Sequence, residues 1–318
     1  VDLFEQTIGV EYTLLWRRDV ATYKEEVSWA VATMPWAFRR RFSSIYGPVE
    51  PDLPCGLEVD MTAKESIMRS FEHSLGRAGL RPYFVKDEDG DVECPTPPIA
   101  SMSRLRWWWE RWLDVVAQYP FVLYRRGEMT GGAHVHLDVG RENRARLLAN
   151  LYVDFRNRPY LNWVFNDPDD DDNANWVGAR DDSERGAALD QYDSKSYAIR
   201  FKRAAEHPET APRGTVEYRV FDMPRDWAEA EAMVAFAERH FNSVKRLSRL
   251  DGRVELDPRV DFNKVYRGYR DVRVVRDADF GECADAFRAL LRELDLPVRD
   301  YDVFVERNMR TRFGYGRG

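Results

Sequence analysis

Acidic and histidine side chains recur at alternate positions in several short segments of this chain. The segments span 56–61, 90–98, 130–138 and 214–221. If each contributed a strand and the strands lay side by side, one cleft would receive these side chains: Glu58, Asp60, Glu93, His134, His136, Glu217 and Arg219. Carboxylates and imidazoles hold divalent cations, and arginine binds phosphate. The set therefore predicts a site for a divalent cation and a nucleotide phosphate.

Glu58 and Asp60 form an acid-x-acid pair in Gly56-Leu-Glu-Val-Asp-Met61. On a strand, residues two apart share one face. If that face is solvated, the pair says nothing about function. The flanking residues are mostly apolar, however, and two like charges in such surroundings are costly unless a cation or an arginine neutralises them. Oxygen ligands of this kind suit magnesium or manganese.

His134 and His136 have the same strand spacing and follow Gly131-Gly132, where the backbone can approach a bound group closely. The alternative is a pair of hydrogen-bonded histidines on a half-buried strand. A second alternative is the His-x-His of metal-dependent hydrolases, which needs further histidines at later strand ends. Downstream, the chain offers only His207, in a Pro/Glu-rich loop, and His240, within a predicted helix.

Glu217 and Arg219 also share a face, either as a simple salt bridge or as a cation ligand beside an anion clamp. Glu93 ends a strand before a proline-rich turn. Glu11, in Gly9-Val-Glu-Tyr-Thr13, resembles the segment around Glu58 but has threonine in place of the second acid. Glu11 is predicted either to line the site as an additional acid or to be an ordinary strand acid.

The elements that must position these residues follow from hydrophobic periodicity, capping residues and turn signals. Strands are predicted at 3–16, 56–61, 81–86, 91–94, 121–124, 133–139, 196–202 and 215–221. Helices are predicted at 22–46, 62–79, 101–118, 141–156, 159–165, 226–247 and 279–294, with an acidic loop at 167–175. Hairpin signals favour antiparallel pairing. The expected fold class is therefore α+β, with a largely antiparallel sheet and helices packed over one face.

Two apolar stripes indicate where the core lies. Ile8, Val10, Tyr12 and Leu14 alternate along the first strand. One interpretation of the tryptophan-rich segment 107–112 is a platform on which a ligand stacks. Its tryptophans and the following valines recur at spacings of three and four, which favours the buried face of a helix.

Composition limits the class of protein. The chain has 318 residues, 44% of them hydrophobic, and a formal charge of −7 with 48 basic residues. No basic block occurs, so the charge does not indicate nucleic-acid binding. No apolar run is long enough for a membrane span, and no signal peptide is recognised, so we expect no membrane partner. The three cysteines are scattered, which argues against a disulfide scaffold or zinc knuckle and favours a cytoplasmic location.

The order of these motifs resembles the amidoligase family, carboxylate–amine ligases with the glutamine synthetase fold. Members have a Gly-φ-Glu-φ-Glu strand, a Glu-x-x-(Ser/Thr)-Pro strand end, Gly-x-His-φ-His and φ-Glu-φ-Arg. The corresponding segments here are Gly56–Asp60, Glu93–Pro97, Gly132–His136 and Val216–Arg219. The resemblance covers about 56–247. Asp60 departs from the pattern because the family has glutamate at this position. If Glu11 were instead the first acid of the motif, Thr13 would stand where the second acid is expected.

The resemblance implies an ATP-dependent ligase that uses magnesium or manganese in a funnel of antiparallel strands. The γ-phosphate would pass to a substrate carboxylate, and an amine would attack the acyl phosphate to form an amide or isopeptide bond. By analogy, Glu58, His134 and Glu217 would hold one ion, and Asp60 with Glu93 another. His136 would contact phosphate, and Arg219 would neutralise the acyl phosphate or the carboxylate. The family also has substrate-facing basic residues near the positions of Arg158, Arg180, Arg200 and Arg213.

Two other functions remain open at this level: a catalytically degenerate relative that acts as a structural or binding protein in an assembly, and a metal-dependent hydrolase. The expected organisation is a catalytic core at 56–247. Residues 1–55 would be an N-terminal strand and helix extension of the same domain, and 248–318 a C-terminal extension. The carboxylate and amine substrates are not identified by the sequence, and a homo-oligomer is possible.

Overall fold

A computed structural model gives the fold. It describes residues 3–16, 57–82, 84–88, 91–123, 132–140, 143–158, 160–165, 198–202, 214–255, 257 and 280–309. Within these ranges, the side chains of residues 16, 57–64, 87, 88 and 91 are not described. The predicted helix at 22–46 and the predicted acidic loop at 167–175 lie outside the described residues.

One antiparallel sheet organises the described residues. Its strands are β1 (Leu3–Trp16), β2 (Lys86–Glu88), β3 (Asp91–Pro95), β4 (Ile99–Ser101), β5 (Phe121–Val122), β6 (Gly132–Asp138), β7 (Ile199–Lys202) and β8 (Thr215–Asp222). The order is β2-β3-β1-β6-β8-β7, and β4 and β5 also pair with β1. All pairs are antiparallel. The predicted α+β class with an antiparallel sheet is confirmed.

Strand β1 lies in the middle of the sheet, between β3 and β6. Ile8, Val10, Tyr12 and Leu14 are all buried, as their alternation predicts. The residues between them on the other face, Glu11 and Thr13, are buried too. A strand buried on both faces, with one apolar face and one polar face, must have its polar groups paired.

The longer helices of the described residues pack against this sheet or against one another. They are α1 (Leu57–Arg77), α2 (Met102–Val116), α3 (Arg144–Asn157), α4 (Tyr160–Phe165), α5 (Trp227–Arg249) and α6 (Phe280–Glu293). A 3-10 turn (Val298–Tyr301), a short α-helix (Asp302–Phe304) and a π-helical turn (Val305–Met309) follow α6. In the part of the chain that the structure describes, no helix has the length and apolar character needed to cross a bilayer.

Helix α2 packs its tryptophans against β1. Ser101 caps the helix by accepting a hydrogen bond from the backbone N–H of Arg104. Trp108, Trp109 and Trp112 are buried, and their ring centroids lie 5.9, 4.9 and 5.0 Å from the ring of Tyr12. The tryptophan segment therefore forms core, as its helical spacing predicts.

Helix α5 packs on the apolar face of the sheet, and its His240 joins a chain of buried polar side chains there. Tyr218 Oη lies 2.8 Å from His240 Nδ1, and His240 Nε2 lies 2.7 Å from Asp154 Oδ2. Arg158 forms an ion pair with Asp154. Burial, together with the charge of Arg158, lowers the pKa of His240 to about 3. A neutral imidazole satisfies this chain, because Nε2–H donates to Asp154 and Nδ1 accepts from Tyr218.

We expect His240→Gln to flatten the pH dependence of stability. Below the unfolded-state pKa of 6.5, the unfolded chain protonates His240 while the native chain does not, so the free energy of unfolding falls as pH falls towards 3. One such group removes about 2 kcal/mol between pH 7 and pH 5. Urea titrations of wild type and variant at both pH values measure the difference. Asp154 and Arg158 are present in both proteins, so equal pH dependences would contradict the neutral buried histidine.

The predicted strand at 56–61 is wrong. Helix α1 begins at Leu57, before the predicted capping box at Thr62, and ends near Gly79, whose φ of 78° makes it the predicted stop. Glu58 and Asp60 therefore lie on a helix, where residues two apart are separated by about 200° around the axis. They do not share a face as a strand pair would.

Smaller differences concern strand ends. Among the described residues of the segment predicted as a strand at 81–86, Lys86 alone lies in a strand, where it begins β2 (Lys86–Glu88). The strand predicted at 121–124 is β5, Phe121–Val122. The described part of the C-terminal region packs on the rest of the fold. Tyr301 Oη donates to Ala232 O at 2.7 Å, and Asn308 Nδ2 donates to Val164 O at 2.8 Å. Of the described cysteines, neither Cys94 nor Cys283 is in a disulfide.

Candidate cation and oxyanion site

The polar face of the sheet brings acids and histidines from three neighbouring strands together. Glu11 of β1 pairs with His134 of β6, and His136 of β6 pairs with Glu217 of β8. Directly paired residues of antiparallel strands have side chains on the same face. His134 and His136 are two positions apart, so the period of the strand places all four side chains on that face.

These four side chains are in mutual contact. His134 Nδ1 lies 2.8 Å from Glu11 Oε1 and 3.3 Å from Glu217 Oε1. His136 Nε2 lies 3.6 Å from Glu11 Oε2 and 3.9 Å from Glu217 Oε1. All four are buried, and the side chain of Glu217 has no exposed surface. Two carboxylates this close repel each other unless positive charge stands nearby.

Two arginines supply that positive charge. Arg219 Nη1 lies 2.6 Å from Glu217 Oε1, and Arg200 Nη1 lies 3.7 Å from Glu217 Oε2. Arg200 is on β7, directly opposite Glu217 in the register. The resting site is therefore an ion network in which the guanidinium groups compensate the carboxylates.

A β-bulge places Arg219 in this network. Val135 pairs with Tyr218 and Ala133 with Phe221, so two residues of β8, Arg219 and Val220, face the single residue His134. The backbone N–H of Arg219 donates to Ala198 O at 2.8 Å. Bulges re-aim side chains next to functional sites. Here the bulge keeps Arg219 beside Glu217 and turns Phe221 towards Phe165 and Phe236.

His134 is neutral in this arrangement. Burial lowers its pKa first of all, and the charge of Arg219 lowers it further, while Glu11 and Glu217 offset the effect in part. Because the Glu11 carboxylate can only accept, the 2.8 Å contact assigns the proton to Nδ1 of His134. Arg219 Nη1, 3.4 Å from the same nitrogen, then does not donate to it.

The donors fit a divalent cation. Glu11, His136 and Glu217 each offer one ligand atom, and these atoms lie within 4.8 Å of one another. A cation with bonds of about 2.1 Å needs ligand atoms about 3–4 Å apart, so small side-chain movements suffice. Carboxylate oxygens suit magnesium and manganese, and an imidazole nitrogen shifts the preference towards manganese, iron or zinc. The hydrogen bond from His134 to Glu11 is the kind that orients a ligand.

Of the predicted site residues, the structure brings together His134, His136, Glu217 and Arg219. Glu93 lies on the same face, on β3, opposite Thr13 and diagonal to Glu11. Diagonal neighbours of this kind are roughly 7–8 Å apart, which is within reach of a long side chain. Glu58 and Asp60 lie on α1, and their side chains are outside the described residues.

The arginines predicted to face the substrate do not all lie at the site. Arg200 contacts the site, whereas Arg158 pairs with Asp154 in the buried polar chain of His240. Arg180 and Arg213 lie outside the described residues. Glu11 lies at the centre of the site, although the sequence did not single it out as a cation ligand. Its signal was present in Gly9-Val-Glu-Tyr-Thr13, an acid inside an alternating strand that is long and apolar.

No protein-family model matches the chain, and no curated protein matches it significantly.

Proposed function

We propose that this protein is an ATP-dependent carboxylate–amine ligase that forms an amide or isopeptide bond through an acyl phosphate. The observation that carries the proposal is the contact between Glu11, His136 and Glu217 with Arg219 beside them on one face of an antiparallel sheet. Phosphoryl transfer requires mainly charge neutralisation and positioning, which cation ligands and arginines supply.

The resemblance to amidoligases supports this function with one change of residue. Gly9-Val-Glu-Tyr-Thr13 takes the place given to Gly56–Asp60, because Glu11 is the strand acid that contacts the two histidines. The order along the chain is still an acid strand, Glu93, the His-x-His strand and the Glu-x-Arg strand. The funnel-shaped sheet of glutamine synthetase-like enzymes is part of the proposal.

Each residue has a role in this proposal. Glu11, His136 and Glu217 would hold Mg²⁺ or Mn²⁺, which would polarise the γ-phosphate of ATP. The roles predicted for the two histidines are exchanged in this proposal: His136 takes the place of His134 as a cation ligand, and His134 orients Glu11 through their hydrogen bond. Glu93, a further predicted cation ligand, lies on the same face one strand away. Arg219 neutralises the oxyanion as the phosphoryl group moves to the substrate carboxylate, and the amine then displaces phosphate.

A degenerate relative with a structural or binding role is the second candidate, and Thr13 favours it. Thr13 stands where the family motif has a second carboxylate, and it lies directly opposite Glu93. The site therefore has one acid fewer for a second cation. The pairing of Glu217 with two arginines would hold such a site together without any ligand.

Turnover of ATP separates these functions. The ligase should release ADP in the presence of Mn²⁺, a pool of amino acids and hydroxylamine, and should form a hydroxamate as hydroxylamine traps the acyl phosphate. We expect Glu11→Gln to lower this rate at least ~100-fold, because Glu11 contacts both histidines. Glu110→Gln, which removes an exposed acid on α2, should match wild type.

Other outcomes favour the other functions. Folded protein without nucleotide binding or ADP release in any metal favours the structural role. Ester or amide hydrolysis that needs Zn²⁺ and no ATP favours the hydrolase. Equal rates in wild type and Glu11→Gln would remove the assignment of the site.

A further inference from the structure

Arg219 occupies the oxygen of Glu217 that a cation would use. Glu217 Oε1 is 2.6 Å from Arg219 Nη1, and the same oxygen is the one closer to His136 Nε2, at 3.9 Å. The guanidinium group therefore stands in the place of positive charge that a bound cation would take. From this geometry we propose that cation binding releases Arg219 from Glu217 and creates, with Arg200, a site for a doubly charged tetrahedral oxyanion. The proposal rests on the cation site of the proposed function and adds how that site selects its second ligand.

Like-charge repulsion provides the release. A cation bonded to Glu217 Oε1 would lie within a few ångströms of the guanidinium group in buried surroundings, where charges interact more strongly than in water. The side chain of Arg219 is 15% exposed, whereas that of Glu217 is fully buried. The arginine is therefore the more exposed partner and the one that is displaced, and the carboxylate stays with the cation.

The balance of charge identifies the second ligand. In the resting site, the carboxylates of Glu11 and Glu217 stand beside the guanidinium groups of Arg200 and Arg219. Binding of a divalent cation adds two positive charges to this buried network, and a dianionic oxyanion offsets them.

Arginine pairs supply the matching geometry. Guanidinium groups donate parallel hydrogen bonds to phosphate-like oxygens. Arg200 and Arg219 come from adjacent strands and flank the same carboxylate, so both can reach a group bound next to it. Cation and oxyanion should then bind with positive cooperativity, because each removes the charge that opposes the other, and the coupling must be reciprocal.

Calorimetric titration of Mn²⁺ into the full chain tests the proposal. One series contains sodium sulfate, a dianionic tetrahedral probe that binds Mn²⁺ weakly in water, and the other contains sodium chloride at the same ionic strength. For wild type, we expect sulfate to lower the Kd for Mn²⁺ at least 10-fold. For Arg219→Gln, we expect a Kd in chloride at least 5-fold below that of wild type, because the competing charge is gone, and less than a 2-fold effect of sulfate.

Two further variants keep the test decisive. Arg219→Lys keeps the charge and should retain weak Mn²⁺ binding in chloride with a reduced sulfate effect, so it decides the matter if Arg219→Gln does not fold. Arg253→Gln removes an exposed arginine beside α3 and should behave as wild type. A sulfate effect that persists in Arg219→Gln, with Mn²⁺ affinity no higher than wild type, overturns the proposal.

The outcomes also separate this inference from the proposed function. If Mn²⁺ binds and sulfate couples as expected but ATP is never turned over, the inference holds and the ligase assignment fails. If ADP release is observed but Arg219→Gln leaves the affinity for Mn²⁺ and the sulfate effect unchanged, the ligase assignment holds and the inference fails. If no protein binds Mn²⁺, both fail.

Discussion

Replacing Glu217 with glutamine is expected to lower Mn²⁺ affinity and ATP turnover more than any other single change in the site. Glu217 contacts both histidines and both arginines, and it has no exposed surface. The amide keeps the shape of the side chain but loses its charge. We expect at least a ~100-fold loss of Mn²⁺ affinity. Replacing a residue that only orients a ligand already lowers metal affinity up to about 100-fold, and replacing the charged ligand itself should lower it at least as much.

The same change should also lower stability. Breaking a buried ion pair leaves the remaining charge uncompensated, at a cost of about 3 kcal/mol in the free energy of unfolding. The double variant Glu217→Gln/Arg219→Gln should recover part of that loss without recovering Mn²⁺ binding. Urea denaturation measures the first effect, and calorimetry the second. Wild-type Mn²⁺ affinity in Glu217→Gln would contradict the site, and equal stability of the single and double variants would contradict the ion pair.

Replacing Trp112 with alanine is expected to give the largest loss of stability from a change in the apolar core. Its side chain is fully buried and contacts the rings of Tyr12, Trp108 and Trp109, with centroids 5.0, 5.9 and 5.4 Å away. Truncation of a buried tryptophan removes apolar contacts and leaves a cavity. We expect a loss of about 3–5 kcal/mol in the free energy of unfolding.

Trp107 is the matched control, since it lies on the same helix but is only partly buried. It lies beneath Arg104, 3.8 Å from the ring centroid, and beside Arg111 at 5.0 Å. Trp107→Ala should cost no more than about 1 kcal/mol. Denaturant titration of both variants provides the comparison. Similar losses in the two variants would contradict the one-sided packing of α2 on β1.

Sequence periodicity predicts the parts of this protein in which local pattern and burial agree. The alternation in β1 follows from Ile8, Val10, Tyr12 and Leu14, and the face of α2 from its tryptophan spacing. His134 and His136 share a face because a strand has a period of two. Glu217 and Arg219 share a face for the same reason, although a bulge begins at Arg219.

The segment around Glu58 shows where this reasoning fails. An acid-x-acid pattern over six residues fits a short strand, but Leu57, Met61 and the following residues also fit the start of a long helix. Helix α1 continues for 21 residues, and its length outweighs the local pattern. The glycine that stops it, Gly79, was predictable because the left-handed conformation there suits glycine.

The position of Glu11 depended on information that is not local. Its segment predicts a strand, but the neighbours of that strand are fixed by pairing with β3 and β6, far along the chain. In the sequence, Glu11 and Glu58 both lie in strand-like segments and fit the same role. Only the register, which sets Glu11 opposite His134, distinguishes them.

The central place of β1 has a consequence for how the chain folds. The contact of Val10 with Thr96 spans 86 positions, and that of Glu11 with His134 spans 123. Closing such long loops costs entropy before any contact is gained, and sheets with distant partners fold slowly. During synthesis, β1 therefore leaves the ribosome long before β3 and β6, the strands with which it pairs.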